Sequence, residues 1–455
     1  MLQEEVSEIL PEAIEDLKKL VAIPSVSFLH FDKQEVLNSA AEVERQLAEI
    51  GAKNIQRLVP ESGYPAVYGE ILSDKKNPTV LLYAHHDVQP PMRESLWKSS
   101  PFQAEIRGDR LYGRGTADDK AGIIIHKMAA KLALKAFGSK TPNLKFIIEG
   151  EEESGSAGFE KLLEENKELL KADAVIIADL GNYAKGEPSL TTTLRGMSAV
   201  EITIQSGEIP LHSGSWSGPI PDPAQELCRL ITSLSDKDGN ILIENFEEGL
   251  IKPTEKERTS YQSLEMTEKK FREESKILPS TELLVSENNI LESLWRKPSV
   301  VITAMESGNK NMAGNVLQES AYARIGIRLA PGMDSKKATE KLVRHLKKNV
   351  GHGLKAIIKQ EEGAEPFTTD VSHPYFLSMA KAMQKAFDKE PKFIGCGASI
   401  PGAEYFRNTF GNIPILLMGV EDPECNAHGE NESLYLPDFS KTILAEALFF
   451  GELAK

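Results

Sequence analysis

Apolar residues Val6, Leu10, Ile14, Leu17 and Leu20 or Val21 recur at near-helical spacing and predict a helix over residues 3–21. Pro11 either kinks it or marks its start, since proline is tolerated in a first turn, and Pro24 ends the pattern. The pattern then predicts a second amphipathic helix over 35–51, strands near 66–72 and 78–84, and a helix over 119–137. A strand at 144–150 ("LKFIIEG"), a helix near 157–170 and a strand at 174–179 ("AVIIAD") follow. Strands alternating with helices indicate an α/β sheet with substantial parallel pairing.

The character changes after residue 190. "TTTLRGMSAVEITIQSG" reads as a strand, "PDPAQELCRLITSLSD" as a helix, "PSVVITAMES" and "ESAYARIGIRLAP" as strands, "DSKKATEKLVRHLKKNV" as a helix and "LKAIIKQ" as a strand. This βαββαβ order suits a small sheet with helices on one face, a ferredoxin-like α+β unit. A charged, mostly helical stretch at 244–296 elaborates it, with the cluster at 255–276 read as a solvated face. The α/β pattern returns from 374, with a helix through 388, a strand at "IPILLMG" and a closing helix after 438. The simplest architecture is an α/β domain of mixed sheet and flanking helices, residues 1–189 and 370–455, interrupted by a smaller domain at 190–369. A chain of 455 residues exceeds what one core usually organises, which agrees with that division.

Composition narrows the function classes. The chain is 40% hydrophobic and 27% charged, ordinary for a soluble globular protein. Its 68 acidic against 53 basic residues give a net charge of −15, which disfavours nucleic acid and anionic membrane as partners. A small substrate or divalent cations suit that balance better. Cys228, Cys396 and Cys425 show no paired spacing and fit a reducing compartment. The acidic, amphipathic N-terminus lacks the features of a signal peptide, and no stretch reaches the length of a membrane span, so a cytoplasmic location is expected.

Candidate chemistry gathers at or just past strand ends, where open α/β sheets place their sites. In "AHHDVQP", residues 84–90, strand alternation puts His85 and Asp87 on one face and turns His86 away. A ligating imidazole is commonly oriented by a carboxylate on its other nitrogen, so His85 is the better ligand candidate. Four further stretches could converge with it: "LYGRGTADDKAG" with Asp118 and Asp119, "EGEEESGS" with Glu151, Glu152 and Glu153, "IADLGN" with Asp179, and "NAHGENE" with His428. Carboxylates gathered together repel unless cations neutralise them. Two histidines with several carboxylates suit Zn²⁺, Mn²⁺ or Co²⁺ in a dinuclear hydrolytic centre, with a free carboxylate as general base. A nucleophilic serine hydrolase is disfavoured, because no Gly-x-Ser-x-Gly elbow is present.

Eight stretches in order, "AHHDVQP", "LYGRGTADDKAG", "EGEEESGS", "LRG", "LHSGSWSGP", "IRLAPGM", "GASIPG" and "NAHGENE", resemble the M20 metallopeptidase family, and most of all its dipeptidase branch with the carnosinase-like enzymes. The resemblance implies a zinc-peptidase α/β domain with an inserted lid that often dimerises. It implies two divalent ions per subunit, Zn²⁺ first with Mn²⁺ or Co²⁺ as alternatives: His85 and Asp179 on one, Glu153 and His428 on the other, and Asp118 bridging. Asp87 would orient His85, and Glu152 would be the general base acting on a metal-activated water. His212 would donate to the tetrahedral oxyanion, often across a homodimer in family members, after lid closure. Arg328 and Ser399 would hold the substrate's C-terminal carboxylate. The implied activity is hydrolysis of dipeptides or very short peptides with a free carboxylate, with N-acyl amino acid deacylation as the alternative. The chain departs from the branch before "SIP", where "GCGA" replaces the usual Arg-Glu-Gly-Gly and so alters the pocket wall at Gly395 and Cys396.

Overall fold

The computed structural model describes residues 2–61, 63–361 and 363–454. It divides into two compact units, Met1–Thr192 with Thr369–Ile394 and Pro401–Lys455, and Thr193–Thr368 with Gly395–Ile400.

The first unit is built on a large mixed sheet. Its strands run in the order Lys53–Leu58, Ala66–Ile71, Asn143–Glu149, Thr79–His85, Ala174–Ile177, Ile415–Leu417 and Ser189–Leu194. The four from Asn143–Glu149 to Ile415–Leu417 are mutually parallel. Alternation sorts the faces of Thr79–His85. Val80, Leu82 and Ala84 enter the main apolar core, while Tyr83 meets Phe159 and Phe406 at ring distances of 5.6 and 5.4 Å.

Helices Leu2–Val21, Lys120–Phe137, Pro374–Phe387 and Leu436–Leu453 all contribute side chains to that core. Pro11 neither starts nor ends the first helix. It lies on the exposed side, where water can satisfy the Ser7 carbonyl that loses its intrahelical partner. The central helix Lys120–Phe137 is buried on nearly every side. Of its two buried lysines, Lys120 donates to the Leu20 and Ile23 carbonyls, both at 2.8 Å, and Lys127 donates to Asp16 at 2.6 Å and Glu49 at 2.9 Å, the latter tying three helices together. Where one helix is expected over 157–170, the structure has two, Phe159–Glu165 and Lys167–Leu170, broken at Asn166.

The second unit carries a four-stranded antiparallel sheet. In chain order its strands are Gly196–Gln205, Ser299–Glu306, Ser320–Leu329 and Lys355–Gln360, and in space the order is fourth, first, third, second. Helices Pro223–Thr232 and Ser335–Asn349 pack on one face through Leu227, Leu230, Leu342 and Leu346 against Val200, Ile202, Ile325 and Ile327. This is the ferredoxin-like βαββαβ arrangement. The charged elaboration holds three short helices, Glu255–Gln262, Glu268–Ser275 and Ile290–Arg296.

Candidate metal centre

Parallel pairing brings several strands' carboxyl ends to one edge of the first unit, and the acidic and imidazole side chains follow from there. His85 closes the strand Thr79–His85 and is fully buried. Its Nε2 stands 3.1 Å from Asp118 Oδ1 and 3.4 Å from Asp179 Oδ1. Its Nδ1 stands 3.1 Å from the Asp87 carbonyl and 3.4 Å from Asp87 Oδ1. His86 points elsewhere, with Nε2 3.3 Å from the Pro65 carbonyl, and burial pushes its pKa down to about 4.

Asp87 does more than face an imidazole. Oδ1 accepts the Glu152 N–H at 3.2 Å, and Oδ2 accepts the Glu153 N–H at 3.1 Å and the Ser27 hydroxyl at 2.7 Å. One carboxylate thus fixes His85 and the turn Glu152–Ser154 together. Burial alone would raise the Asp87 pKa, but the His85 hydrogen bond and charge outweigh it and hold the group below its ordinary value.

Asp118 presents its two oxygens to different imidazoles: Oδ1 to His85 Nε2 at 3.1 Å and Oδ2 to His428 Nε2 at 2.9 Å. His428 Nε2 is also 3.4 Å from Glu153 Oε2. Two groups result, His85 with Asp118 and Asp179, and Asp118 with Glu153 and His428, each with ligand atoms within 4.8 Å of one another. Asp118 belongs to both. Its neighbour Asp119 turns back to accept the His85 N–H at 3.1 Å.

Within the acidic run, Glu151 accepts backbone N–H groups of Tyr64 at 3.1 Å and Gly158 at 2.9 Å, which engages it in holding loops. Glu153 is steadied by Gln89, whose N–H and Nε2 donate at 3.1 and 2.7 Å. The Glu152 carboxyl is pushed well above the usual carboxylate range by burial and, next, by the Asp179 carboxylate. Burial and Asp118 do the same to Glu153, and burial raises Asp179.

Burial leads these upward shifts and repulsion between the carboxylates adds to it, and divalent cations relieve both. His428 is raised by its hydrogen bond to Asp118, and His85 is raised by Asp179 and Asp118 against the cost of burial. Imidazoles that gain protons among carboxylates exchange them readily for a metal ion. Each group offers one imidazole and hard oxygens, so the donor set fits two borderline or hard divalent ions sharing Asp118.

Several supporting residues lie inside the quoted stretches but are given no role by the sequence. Glu432, fully buried, accepts the N–H groups of Gly115, Ala117 and Asp118 at 3.0, 2.9 and 3.2 Å, and pairs with Arg114 at 2.6 Å. Arg114 in turn donates to Gly429 O at 3.1 Å. This buried pair joins the loop of Asp118 to the loop of His428. Removing one partner strands a buried charge, so Glu432→Ala is expected to lower the stability of metal-free protein by about 3–5 kcal/mol, read by urea unfolding. Two further buried carboxyls lie in the field of the cluster. Glu149 bonds Tyr83 Oη at 2.7 Å and is pushed up to about 8 by burial, and Glu421 is raised by burial, then by Asp118 and Asp179.

The other three sequence candidates belong to the second unit. His212 ends the short strand Leu211–His212, which pairs with Val316–Leu317; it is exposed, with Nδ1 3.3 Å from Ser215 Oγ. Arg328 Nη1 donates to Ser399 Oγ at 3.4 Å.

Fold and cluster together define a metal-dependent hydrolase on an α/β sheet. The family model described as peptidase family M20/M25/M40 matches residues 81–450, and the chain belongs to that family. A cysteinylglycine-S-conjugate dipeptidase of Corynebacterium striatum is 32% identical over 375 residues, covering 82% of this chain and 80% of its own. The crystal structure of human carnosine dipeptidase 1 matches with a TM-score of 0.83 at 26% identity, over 100% of this chain and 98% of that one. An M20 family metallo-carboxypeptidase from Sulfolobus solfataricus matches with a TM-score of 0.87 at 27% identity, over 97% and 99%.

Proposed function

We propose that this peptidase hydrolyses the amide bond of dipeptides or very short peptides bearing a free C-terminal carboxylate. The observation that carries the reading is Asp118, whose two oxygens face two separate imidazole–carboxylate groups beside the Glu152 turn. His85, Asp179, Asp118, Glu153 and His428 would hold two divalent ions, Zn²⁺ first, with Mn²⁺ or Co²⁺ as alternatives. Bound there, the ions supply Lewis acidity to the scissile carbonyl and to water.

The chain's own residues do the rest. Asp87 orients His85 and, through two backbone N–H groups, sets the direction of Glu152. Glu152 takes a proton from the attacking water and returns it to the leaving amine nitrogen. His212 is assigned to donate to the tetrahedral oxyanion, and Arg328 with Ser399 beside it to receive the terminal carboxylate. The named dipeptidases among the relatives support a dipeptide, and nothing in them favours N-acyl amino acid deacylation.

Two further assignments belong to the same reading. A homodimer through the second unit is supported by the exposed edge strand Ser299–Glu306 with Val301 and Met305 open to solvent. A cytoplasmic location is supported by three free cysteines. Among the described residues no helix is long and apolar enough to cross a membrane.

The test is product analysis by mass spectrometry on dipeptides, longer peptides and N-acyl amino acids, with Zn²⁺-, Mn²⁺- or Co²⁺-loaded and chelated protein. Metal-dependent cleavage of the dipeptides is expected, with chelation abolishing it. Release from N-acyl amino acids alone would overturn the substrate, and undiminished turnover after chelation would overturn the metal.

A further inference from the structure

The sequence predicts a continuous strand through "TTTLRGMSAVEITIQSG", but the structure interrupts it at Arg195, between Ser189–Leu194 and Gly196–Gln205. There Arg195 is engaged with another segment. Its N–H donates to Cys396 O at 3.2 Å, its carbonyl accepts the Ser399 hydroxyl at 2.6 Å, and its Nε donates to Gly397 O at 3.2 Å. Nη1 reaches Ser299 Oγ at 3.3 Å and Lys297 O at 3.4 Å. One residue clamps the segment 395–400 from three sides.

The segment is shaped for that clamp. A Cβ on Gly395 would lie 2.6 Å from Trp295, and one on Gly397 would lie 3.2 Å from Arg195 Nη2. Trp295 comes from the charged elaboration, where Tyr261 meets it edge-on at 5.2 Å. The departure at Gly395 is therefore the room that Trp295 needs, while Gly397, which faces Arg195, is common to both patterns. That departure ties the elaboration to the segment that carries Ser399.

Ser399 has one hydroxyl proton and gives it to Arg195 O, so it meets Arg328 Nη1 as an acceptor. Arg328 lies in register between Met197 and Ser299, on the strands either side of it. Among the described residues neither guanidinium has a carboxylate partner. Burial and the charge of Arg328 bring the Arg195 pKa down to about 10, which leaves Arg195 cationic at neutral pH. Two cations without an anion form a receptor for one.

We propose that Arg195 is the positioning residue of the carboxylate site: it holds the segment 395–400 so that Ser399 orients Arg328, and its charge strengthens the field that receives the substrate's terminal carboxylate. The proposal rests on the reading of Arg328 as the carboxylate receptor. Metal-loaded enzyme is assayed on a dipeptide and on its C-terminal amide, with Arg195→Gln, Arg195→Lys, Ser399→Ala and the Arg195→Gln/Ser399→Ala pair.

Arg195→Gln is expected to raise KM for the free acid about ten- to hundredfold, with kcat essentially unchanged and acid-over-amide preference falling by the same factor. Arg195→Lys should recover part of the loss. In the Ser399→Ala background the Arg195→Gln effect should shrink, because the two residues act together. A fall in kcat at constant KM, an intact acid-over-amide preference, or full additivity would overturn the proposal. If Arg195→Gln does not fold, a wild-type KM in Arg195→Lys overturns it equally. A wild-type enzyme indifferent to amidation would instead overturn the carboxylate reading itself.

Discussion

Asp118→Asn is expected to strip both cations from the protein and abolish hydrolysis while leaving the fold intact. The carboxylate gives one oxygen to each imidazole, at 3.1 Å from His85 and 2.9 Å from His428. An amide keeps the shape but offers one acceptor oxygen and, at the other position, an NH₂ that repels a cation. Neither group retains a full set of donors. The backbone is held independently, since Glu432 grips the Gly115, Ala117 and Asp118 N–H groups whatever the side chain at 118.

Two measurements separate this from simple misfolding. Metal analysis of purified protein should fall from two ions per chain towards none. Thermal unfolding should show that added metal raises the Tm of wild type but not of Asp118→Asn, because a ligand at about a hundred times its Kd stabilises by about 2.7 kcal/mol and an unbound one by nothing. Two ions retained per chain in the variant would remove Asp118 from its bridging role.

The parts of this centre that were legible in the sequence share a physical reason. Strand alternation has a period of two, so "AHHD" separates His85 from His86 without any knowledge of the fold, and the structure does point their rings to different partners. The helix Lys120–Phe137 and the strand Thr79–His85 were legible because their apolar patterns are long. The small sheet Glu105–Arg107, Arg110–Tyr112 and Ser433–Tyr435 was not. Each strand has three residues, and one pairing spans more than three hundred positions, so no local pattern announces it.

Glu432, Arg114 and Gln89 escaped for a related reason. All three lie inside quoted stretches, "NAHGENE", "LYGRGTADDKAG" and "AHHDVQP", but each acts on backbone or side-chain groups distant in sequence, so nothing local assigns it a role. The break at Arg195 escaped because strand-forming residues on both sides of it read as one run, although Gly196 beside it is a residue that marks interruptions in strands. What interrupts the ladder is a tertiary engagement with residues two hundred positions away.

Glu152→Gln should lower kcat by about 10²–10⁴-fold with both metals retained and KM little changed. Glutamine matches the shape of glutamate, and the turn that carries it is fixed from outside by Asp87 through the Glu152 and Glu153 N–H groups, so the side chain should keep its place. What disappears is the ability to take a proton from water and deliver it to the leaving nitrogen. Burial and Asp179 raise the proton affinity of Glu152, which favours that first transfer, and bound cations oppose them so that the proton can leave again. Glu151→Gln is the matched control. That carboxylate is committed to the Tyr64 and Gly158 N–H groups, and its loss should act on stability rather than on kcat. The comparison is made with metal content measured on the same samples. Near-normal turnover in Glu152→Gln with two ions bound would move the base to another carboxylate, and Glu149, bonded to Tyr83 in the same buried field, would be the next to replace.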